Sequence, residues 1–134
     1  MVYRRGLPLV LGLALIVSLL AGCQTAQGPS DEALIRDLIK QFVDAGNKGD
    51  VDAVMANFAD DFDMDGIDKE GVKFMMEDAA ASGVEFDASE VEVKVAPDGR
   101  TATASGAMVD YTPYSTKLEK RDGKWLIVGA EEQY

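Results

Sequence analysis

The spacing of apolar residues changes partway along the chain, and this change restricts the fold more than any other feature of the sequence. Between residues 30 and 82, most apolar side chains recur every three or four positions, which is the period of an amphipathic helix. From Val84 onward they alternate with polar residues, which is the period of a half-buried strand. Helices followed by strands predict an α+β fold.

Three helices and one early strand are predicted in the first half. Ser30, Asp50 and Asp68 each precede a stretch with helical spacing and can cap a helix N-terminus. The alternating residues from Asp61 to Asp65 predict a short strand between the second and third helices. The expected inward residues are Leu34, Ile35, Leu38, Ile39, Phe42 and Val43, then Val51, Val54, Met55 and Phe58, then Val72, Met75, Met76, Ala79 and Ala80.

The second half predicts strands joined by turns. Apolar residues at 84, 86 and 88 have one parity and those at 91, 93 and 95 have the other, which indicates a bulge or bend. Pro97-Asp98-Gly99 and Asp122-Gly123 are typical turn sequences. The last strand is predicted to place one set of residues on one face and its alternates on the other: Trp125, Ile127 and Gly129, against Leu126, Val128 and Ala130.

Residues 1–22 have the three parts of a secretory signal. Arg4 and Arg5 are followed by a nearly continuous apolar run from Leu7 to Leu20 and then by small residues. Leu20-Ala21-Gly22-Cys23 resembles the lipobox of bacterial lipoproteins. The resemblance implies that diacylglycerol is attached to the Cys23 thiol, that cleavage occurs before this residue, and that the new amine is acylated.

The segment after the cleavage site predicts a short tether to a membrane. Residues 23–30 comprise the acylated cysteine and a polar stretch with Gly28 and Pro29. Gln24 resembles the residue of lipoproteins sorted to the outer membrane, since an aspartate there favours the inner membrane in enterobacterial proteins. The sequence therefore predicts a lipid-anchored cell-envelope protein on the periplasmic face of the outer membrane.

Charge and composition exclude several kinds of chemistry. The net charge is −11, which argues against an electrostatic surface for nucleic acid. The chain has no histidine, so imidazole catalysis and histidine-ligated metals are excluded. Its single cysteine excludes an intrachain disulfide. No cofactor is predicted other than the covalent lipid.

The order of elements in residues 31–134 resembles the nuclear transport factor 2-like superfamily, which includes ketosteroid isomerase and SnoaL-like proteins. The resemblance rests on residues 42–61, FVDAGNKGDVDAVMANFADD, and on residues 121–128, RDGKWLIV. It implies a curved, mostly antiparallel sheet wrapped around three N-terminal helices to form a cone with a pocket. Since this fold hosts enzymes, binding modules and dimerisation domains, it does not define the function.

The residues that the isomerase uses are not found at the matching positions. Its phenol position falls at or near Phe42, which has no hydroxyl, and its base position falls at or near Gly66. A shift of one residue would place Asp65 at the base position, but the phenol would still be missing. The sequence therefore predicts no catalytic residue and favours a non-catalytic module. A divergent enzyme of the superfamily is the alternative.

A second alternative is calcium binding. Asp61, Asp63 and Asp65 followed by Gly66 match the opening D-x-D-x-D-G of a calcium loop. However, Val72 occupies the twelfth position, where a bidentate glutamate is required. The competing interpretation is a strand with three aspartates in solvent.

Two binding modes remain for a non-catalytic module. An apolar cone could take a small ligand, and the adaptable methionines would suit varied guests. Alternatively, an apolar sheet face left uncovered by helices could form a homodimer. The residues proposed to line the pocket are Phe42, Phe58, Phe62, Met64, Met75, Met76, Phe86, Met108, Tyr111 and Trp125, with Tyr111, Tyr114 and Thr116 as polar contacts.

Overall fold

The computed structural model describes residues 28–109 and 112–133. The predicted signal segment, Cys23, Gln24 and Tyr111 lie outside these residues. Within them the chain forms three helices: α1 (Asp31–Lys48), α2 (Val51–Met55) and α3 (Lys69–Ala81). Side-chain oxygens of the three predicted caps accept hydrogen bonds from backbone N–H groups, at 3.2 Å for Ser30, 3.2 Å for Asp50 and 2.9 Å for Asp68.

The described strands form one sheet. They are β1 (Phe58–Met64), β2 (Ile67–Asp68), β3 (Glu92–Val95), β4 (Thr101–Val109), β5 (Thr112–Arg121) and β6 (Lys124–Glu132). Their order across the sheet is β2-β1-β6-β5-β4-β3. β1 and β6 are parallel and the other neighbours are antiparallel. The predicted α+β fold with a mostly antiparallel sheet is therefore confirmed.

The core lies between the helices and the inner face of this sheet. Paired residues of β4, β5 and β6 form rows of side chains on the inner face, with one residue from each strand in a row. One row is Ala102, Leu118 and Ile127, and the next is Ala104, Thr116 and Ala130. α1 packs its buried residues against the core: Ile35, Leu38, Ile39, Phe42 and Ala45. The buried apolar contact between helices and sheet holds the two layers together.

Two sequence predictions of local structure are wrong. Phe58 begins β1 rather than continuing α2, because the preceding carbonyl of Asn57 accepts a hydrogen bond of 2.8 Å from the Ile127 N–H. The stretch from Val84 to Ala88 forms no strand and pairs only through an isolated bridge between Phe86 and Val109. A turn at residues 89–90 then separates it from β3, which accounts for the change of parity.

The faces of the last strand also differ from the prediction. Lys117 pairs with Gly129 and the next residue, Leu118, pairs with Ile127, so Val128 is an extra residue in β6. A bulge of this kind reverses which face the following residues point to. Ala130 therefore shares the inner face with Ile127, whereas strict alternation had placed it on the face of Leu126.

The outer face of the sheet is mostly polar in the residues that the structure describes, and the homodimer through an apolar face stays a prediction. Its described side chains alternate with the buried rows and include Thr103, Ser105, Ser115, Lys117, Glu119 and Glu131. Lys117 is ion-paired with Glu131 across the strands. Leu126 and Val128 are half-buried apolar residues in β6.

Across the two stretches that the structure describes, no helix is both long enough and apolar enough to span a lipid bilayer.

Candidate functional site

A cavity of about 340 Å³ lies between α3 and the inner face of the sheet. Such a volume is at the lower end of what small-molecule sites in proteins occupy. α1 contributes Leu38, Ile39 and Phe42 to its wall. The remaining lining residues are Phe58, Phe62, Met64, Val72, Phe74, Met75, Met76, Asp78, Ala79, Ser82, Val84, Ala104, Met108, Val109, Tyr114, Thr116, Leu118, Ile127 and Ala130.

Small side chains on the sheet leave this space open. The inner-face row at the cavity consists of Ala104, Thr116 and Ala130. Larger residues at these three positions would fill the space. The bulge at Val128 contributes directly, because it turns Ala130 toward the helices.

The helix opposite this row packs loosely. Val72 is the buried residue of α3, whereas Phe74 and Met75 are 72% and 42% exposed. Both exposed side chains also line the cavity. The rim of the cavity therefore presents large apolar surface to water, and such a surface gains free energy when a guest covers it.

Polar groups of the lining come from two elements. α3 and its C-cap residue contribute Asp78 and Ser82, and β5 contributes Tyr114 and Thr116. Tyr114 pairs across the strands with Glu132, so the two side chains lie on the same face of the sheet. Partial burial and, secondly, the negative charge of Glu132 raise the pKa of the Tyr114 phenol, so the hydroxyl stays protonated at neutral pH.

Most of the residues proposed for the pocket are brought together. Tyr111 lies outside the described residues, and two others are placed elsewhere. The residues found on the cavity wall are Phe42, Phe58, Phe62, Met64, Met75, Met76, Met108, Tyr114 and Thr116. Their use by a ligand stays a prediction.

Phe86 and Trp125 do not line the cavity. The backbone of Phe86 is held by two hydrogen bonds of 2.9 Å to the Asn47 side chain, and its ring packs edge-on against Phe42. Trp125 is buried at the start of α1, where its indole N–H donates to Asp31 at 3.1 Å. Both aromatic residues therefore belong to the packing of α1 rather than to the cavity wall.

Several wall residues were not predicted from the sequence. Phe74, Asp78 and Ser82 lie outside the apolar stripe of α3, and only the run Phe74-Met75-Met76 indicated an unusually apolar stretch. The sequence did not indicate that Ala104 and Ala130 line a cavity. A small residue leaves a cavity only where its neighbours across the sheet are also small, and these neighbours are known only from the structure.

The two positions at which the isomerase would carry its phenol and its base lie in different parts of the fold. Phe42 lies on the cavity wall and has no hydroxyl. Gly66 and Asp65 form the turn between β1 and β2, both are exposed, and neither is part of the wall. Among the described wall residues, the ionisable side chains are Asp78 and Tyr114.

The three aspartates of the calcium motif do not converge. Arg121 donates to both carboxylate oxygens of Asp61, at 2.6 and 3.1 Å, and this holds the pKa of Asp61 below its usual value. Asp63 accepts a hydrogen bond of 3.2 Å from the Gly66 N–H. The described ranges contain no group of three or more acidic, histidine or cysteine side chains placed to hold a metal ion. Calcium binding at this turn stays a hypothesis that a calcium titration followed by Tm would test.

Comparisons with known proteins identify the fold. No protein-family model matches the chain, and no curated protein matches it in sequence. Among solved structures, an NTF2-like protein of unknown function from Pseudomonas putida is similar, with a TM-score of 0.61 and 18% identity over 79% of this chain and 89% of that one.

Two structures from Novosphingobium aromaticivorans are also similar. A candidate aromatic ring hydroxylase has a TM-score of 0.63 and 20% identity over 81% of this chain and 92% of that one. A candidate scytalone dehydratase has a TM-score of 0.62 and 14% identity over 77% of this chain and 83% of that one. The described chain therefore has the NTF2-like fold, which agrees with the resemblance noted in the sequence.

Proposed function

We propose that this protein is a lipid-anchored cell-envelope lipoprotein whose domain binds a small apolar ligand without transforming it. The observation that carries the binding function is the apolar cavity of about 340 Å³, with Phe74 and Met75 exposed at its rim. The lipobox ending in Cys23 supports the anchor, and Gln24 supports the location at the periplasmic face of the outer membrane.

The composition of the wall supports binding rather than catalysis. Acid–base catalysis needs a proton acceptor and a donor held near a reacting atom. Asp78 is exposed at the rim, and the pKa of Tyr114 is raised rather than lowered. Such groups can orient a ligand, and the described wall places no buried carboxylate beside a proton donor.

A filled cavity tests the binding function. The full chain would be purified and held in phosphatidylcholine nanodiscs, and 2-naphthalenemethanol would be titrated while Tm is followed. We expect Ala104→Met to fill the cavity and to weaken binding at least roughly 10-fold, because the added side chain takes the space of the guest. Thr103→Met adds the same side chain on the outer face and should bind like wild type.

The comparison of variants also removes the contribution of the lipid. Partition of the probe into the nanodisc is the same for all three proteins, so differences in Tm shift report on the cavity. Equal shifts for wild type and Ala104→Met would show that the cavity is not the binding site.

The lipid anchor has a separate test. Mass spectrometry of the native protein should show a terminus at Cys23 that carries diacylglycerol and an amide-linked acyl chain. Cys23→Ser should abolish this modification, because the chemistry requires a sulfur nucleophile. An unmodified thiol on a chain that still begins at Met1 would contradict the proposal.

The second candidate function is a divergent enzyme of this fold. It is favoured by the structural similarity to a candidate hydroxylase and a candidate dehydratase, together with the cavity. Mass analysis of the naphthalene probe after prolonged incubation would distinguish the two functions. An unchanged probe supports binding, and a conversion that disappears in Ala104→Met would support an enzyme.

A further inference from the structure

The polar wall groups are distributed unevenly, and their chemistry restricts the ligand. Tyr114 and Thr116 are neighbours on the inner face of β5, two residues apart on one strand. The other sides of the cavity, formed by α1, β1 and β4, contribute apolar residues such as Phe42, Phe62 and Met108. A bound molecule can therefore bury an apolar body among these residues and place a polar group against β5.

The polar side chains of β5 that face the cavity mainly offer hydrogen-bond acceptors to a ligand. Tyr114 lies opposite the Glu132 carboxylate in the strand ladder, and this carboxylate can accept the phenol proton. The lone pairs of the phenol oxygen are then available to a ligand that donates. The Thr116 hydroxyl can donate or accept. A ligand hydroxyl can donate to Tyr114 and accept from Thr116, whereas a carboxylate has no proton to donate.

Negative charge near the cavity also acts against an anion. Asp78 lies on the wall at α3, and Glu132 lies beside Tyr114 at the end of β6. The wall residues include no lysine or arginine that could pair with a ligand carboxylate. Moving an anion from water into this cavity would cost desolvation without a compensating partner.

We infer that the cavity selects uncharged apolar molecules bearing a hydroxyl group and excludes the corresponding carboxylates. This inference rests on the proposed binding function and identifies the chemical class of its ligand. Tyr114 and Thr116 recognise the hydroxyl, and Asp78 and Glu132 exclude the anion.

Three probes with the same ring system separate the parts of this inference: 2-methylnaphthalene, 2-naphthalenemethanol and naphthalene-2-carboxylate. Binding to the full chain in phosphatidylcholine nanodiscs would be measured at pH 7 by calorimetry. We expect the alcohol to bind about 5-fold more tightly than the hydrocarbon, which corresponds to one neutral hydrogen bond. We expect the carboxylate to bind at least roughly 10-fold more weakly than the alcohol.

Variants assign the selectivity to residues. Tyr114→Phe and Thr116→Val keep the shape of the wall and should remove the preference for the alcohol over the hydrocarbon. Ser115→Ala, on the outer face of the same strand, should leave all three affinities unchanged. Asp78→Asn should improve carboxylate binding.

The outcomes that overturn the inference are distinct from those that overturn the binding function. Equal affinity for alcohol and carboxylate, or an equal loss for alcohol and hydrocarbon in Tyr114→Phe, would overturn the selectivity and leave the apolar cavity as a binding site. Failure of 2-methylnaphthalene itself to bind would overturn the proposed function and the selectivity together.

Discussion

At the scale of single residues, Asp31 links the start of α1 to the sheet. Its Oδ1 accepts hydrogen bonds from Lys120 Nζ at 2.9 Å and from Trp125 Nε1 at 3.1 Å. As the first residue of the helix, it also places negative charge at the positive end of the helix dipole. The first residue of the helix thus contacts the hairpin formed by β5 and β6.

The pKa of Asp31 predicts how this contact depends on pH. Hydrogen bonds from Lys120 and then Trp125 hold its pKa below the ordinary 3.8. Because the unfolded chain takes up the proton more readily, the contribution to the free energy of unfolding is present above pH 3.8 and is lost as the pH falls through the folded pKa. Asp31→Asn should therefore lower Tm at pH 7, and the difference from wild type should vanish in acid.

Asp44→Asn is the matched control for this prediction, since Asp44 is exposed on the same helix. Thermal unfolding of the three proteins followed by circular dichroism from pH 2 to 7 provides the measurement. If Asp31→Asn and wild type differ equally at all pH values, the carboxylate charge does not stabilise the helix.

At the scale of the elements, two helix glycines have opposite surroundings. An added Cβ at Gly46 in α1 would lie 2.5–2.6 Å from three ring carbons of the buried Phe86. At Gly71 in α3 it would lie 2.8 Å from Cγ2 of Ile67, a side chain that is 37% exposed and can move. α1 is thus packed tightly against the core, whereas α3 is free to adjust.

Alanine substitutions measure this contrast. Alanine is favoured over glycine inside a helix by up to about 1 kcal/mol. Gly71→Ala should gain part of this free energy, whereas Gly46→Ala should lower the free energy of unfolding by about 1–3 kcal/mol, because Phe86 has no space to move into. Urea denaturation measures both, and a stabilised Gly46→Ala would show that the Phe86 ring relocates readily.

Phe74 tests whether α3 forms the rim of a binding site. Since its side chain is 72% exposed, Phe74→Ala should change the free energy of unfolding by less than about 0.5 kcal/mol. The same change should weaken binding of 2-methylnaphthalene roughly 5-fold, because apolar area that the guest would cover is lost. Leu34→Ala, an exposed leucine on α1 outside the cavity wall, is the control and should bind normally.

At the scale of the whole molecule, the homodimer predicted from the sequence remains to be tested. The described outer face carries ion pairs, including Lys94 with Glu92 at 3.7 Å, that pairing of two sheets would have to bury. The half-buried Leu126 and Val128 in β6 are the apolar residues from which such a contact could start.

The oligomeric state would be measured by light scattering at micromolar concentration. The sample is the full chain solubilised in detergent, without nanodiscs. If the dimer forms through this face, Leu126→Lys should dissociate it by placing two like charges near the symmetry axis. Leu34→Lys on α1 should have no effect. A wild-type monomer would contradict the homodimer.

Much of the cavity wall could be predicted from the sequence, and the errors in that prediction have a common cause. The aromatic and methionine residues of the wall follow from periodicity, since side chains on the buried face of an element point to one shared interior. Phe86 and Trp125 fulfil the same pattern and yet lie elsewhere, because periodicity indicates burial but not which part of the core a residue enters.

The sequence by itself determined the three helices and their capping residues, because these depend on interactions between residues close in the chain. The mostly antiparallel sheet was implied by the resemblance in residues 42–61 and 121–128. The tertiary structure alone decided that β1 lies parallel to β6, that the extra residue Val128 turns Ala130 inward, and that Ala104 and Ala130 leave a cavity beside Thr116. These features depend on pairing between distant segments, and a shift of one residue in that pairing exchanges the two faces of a strand.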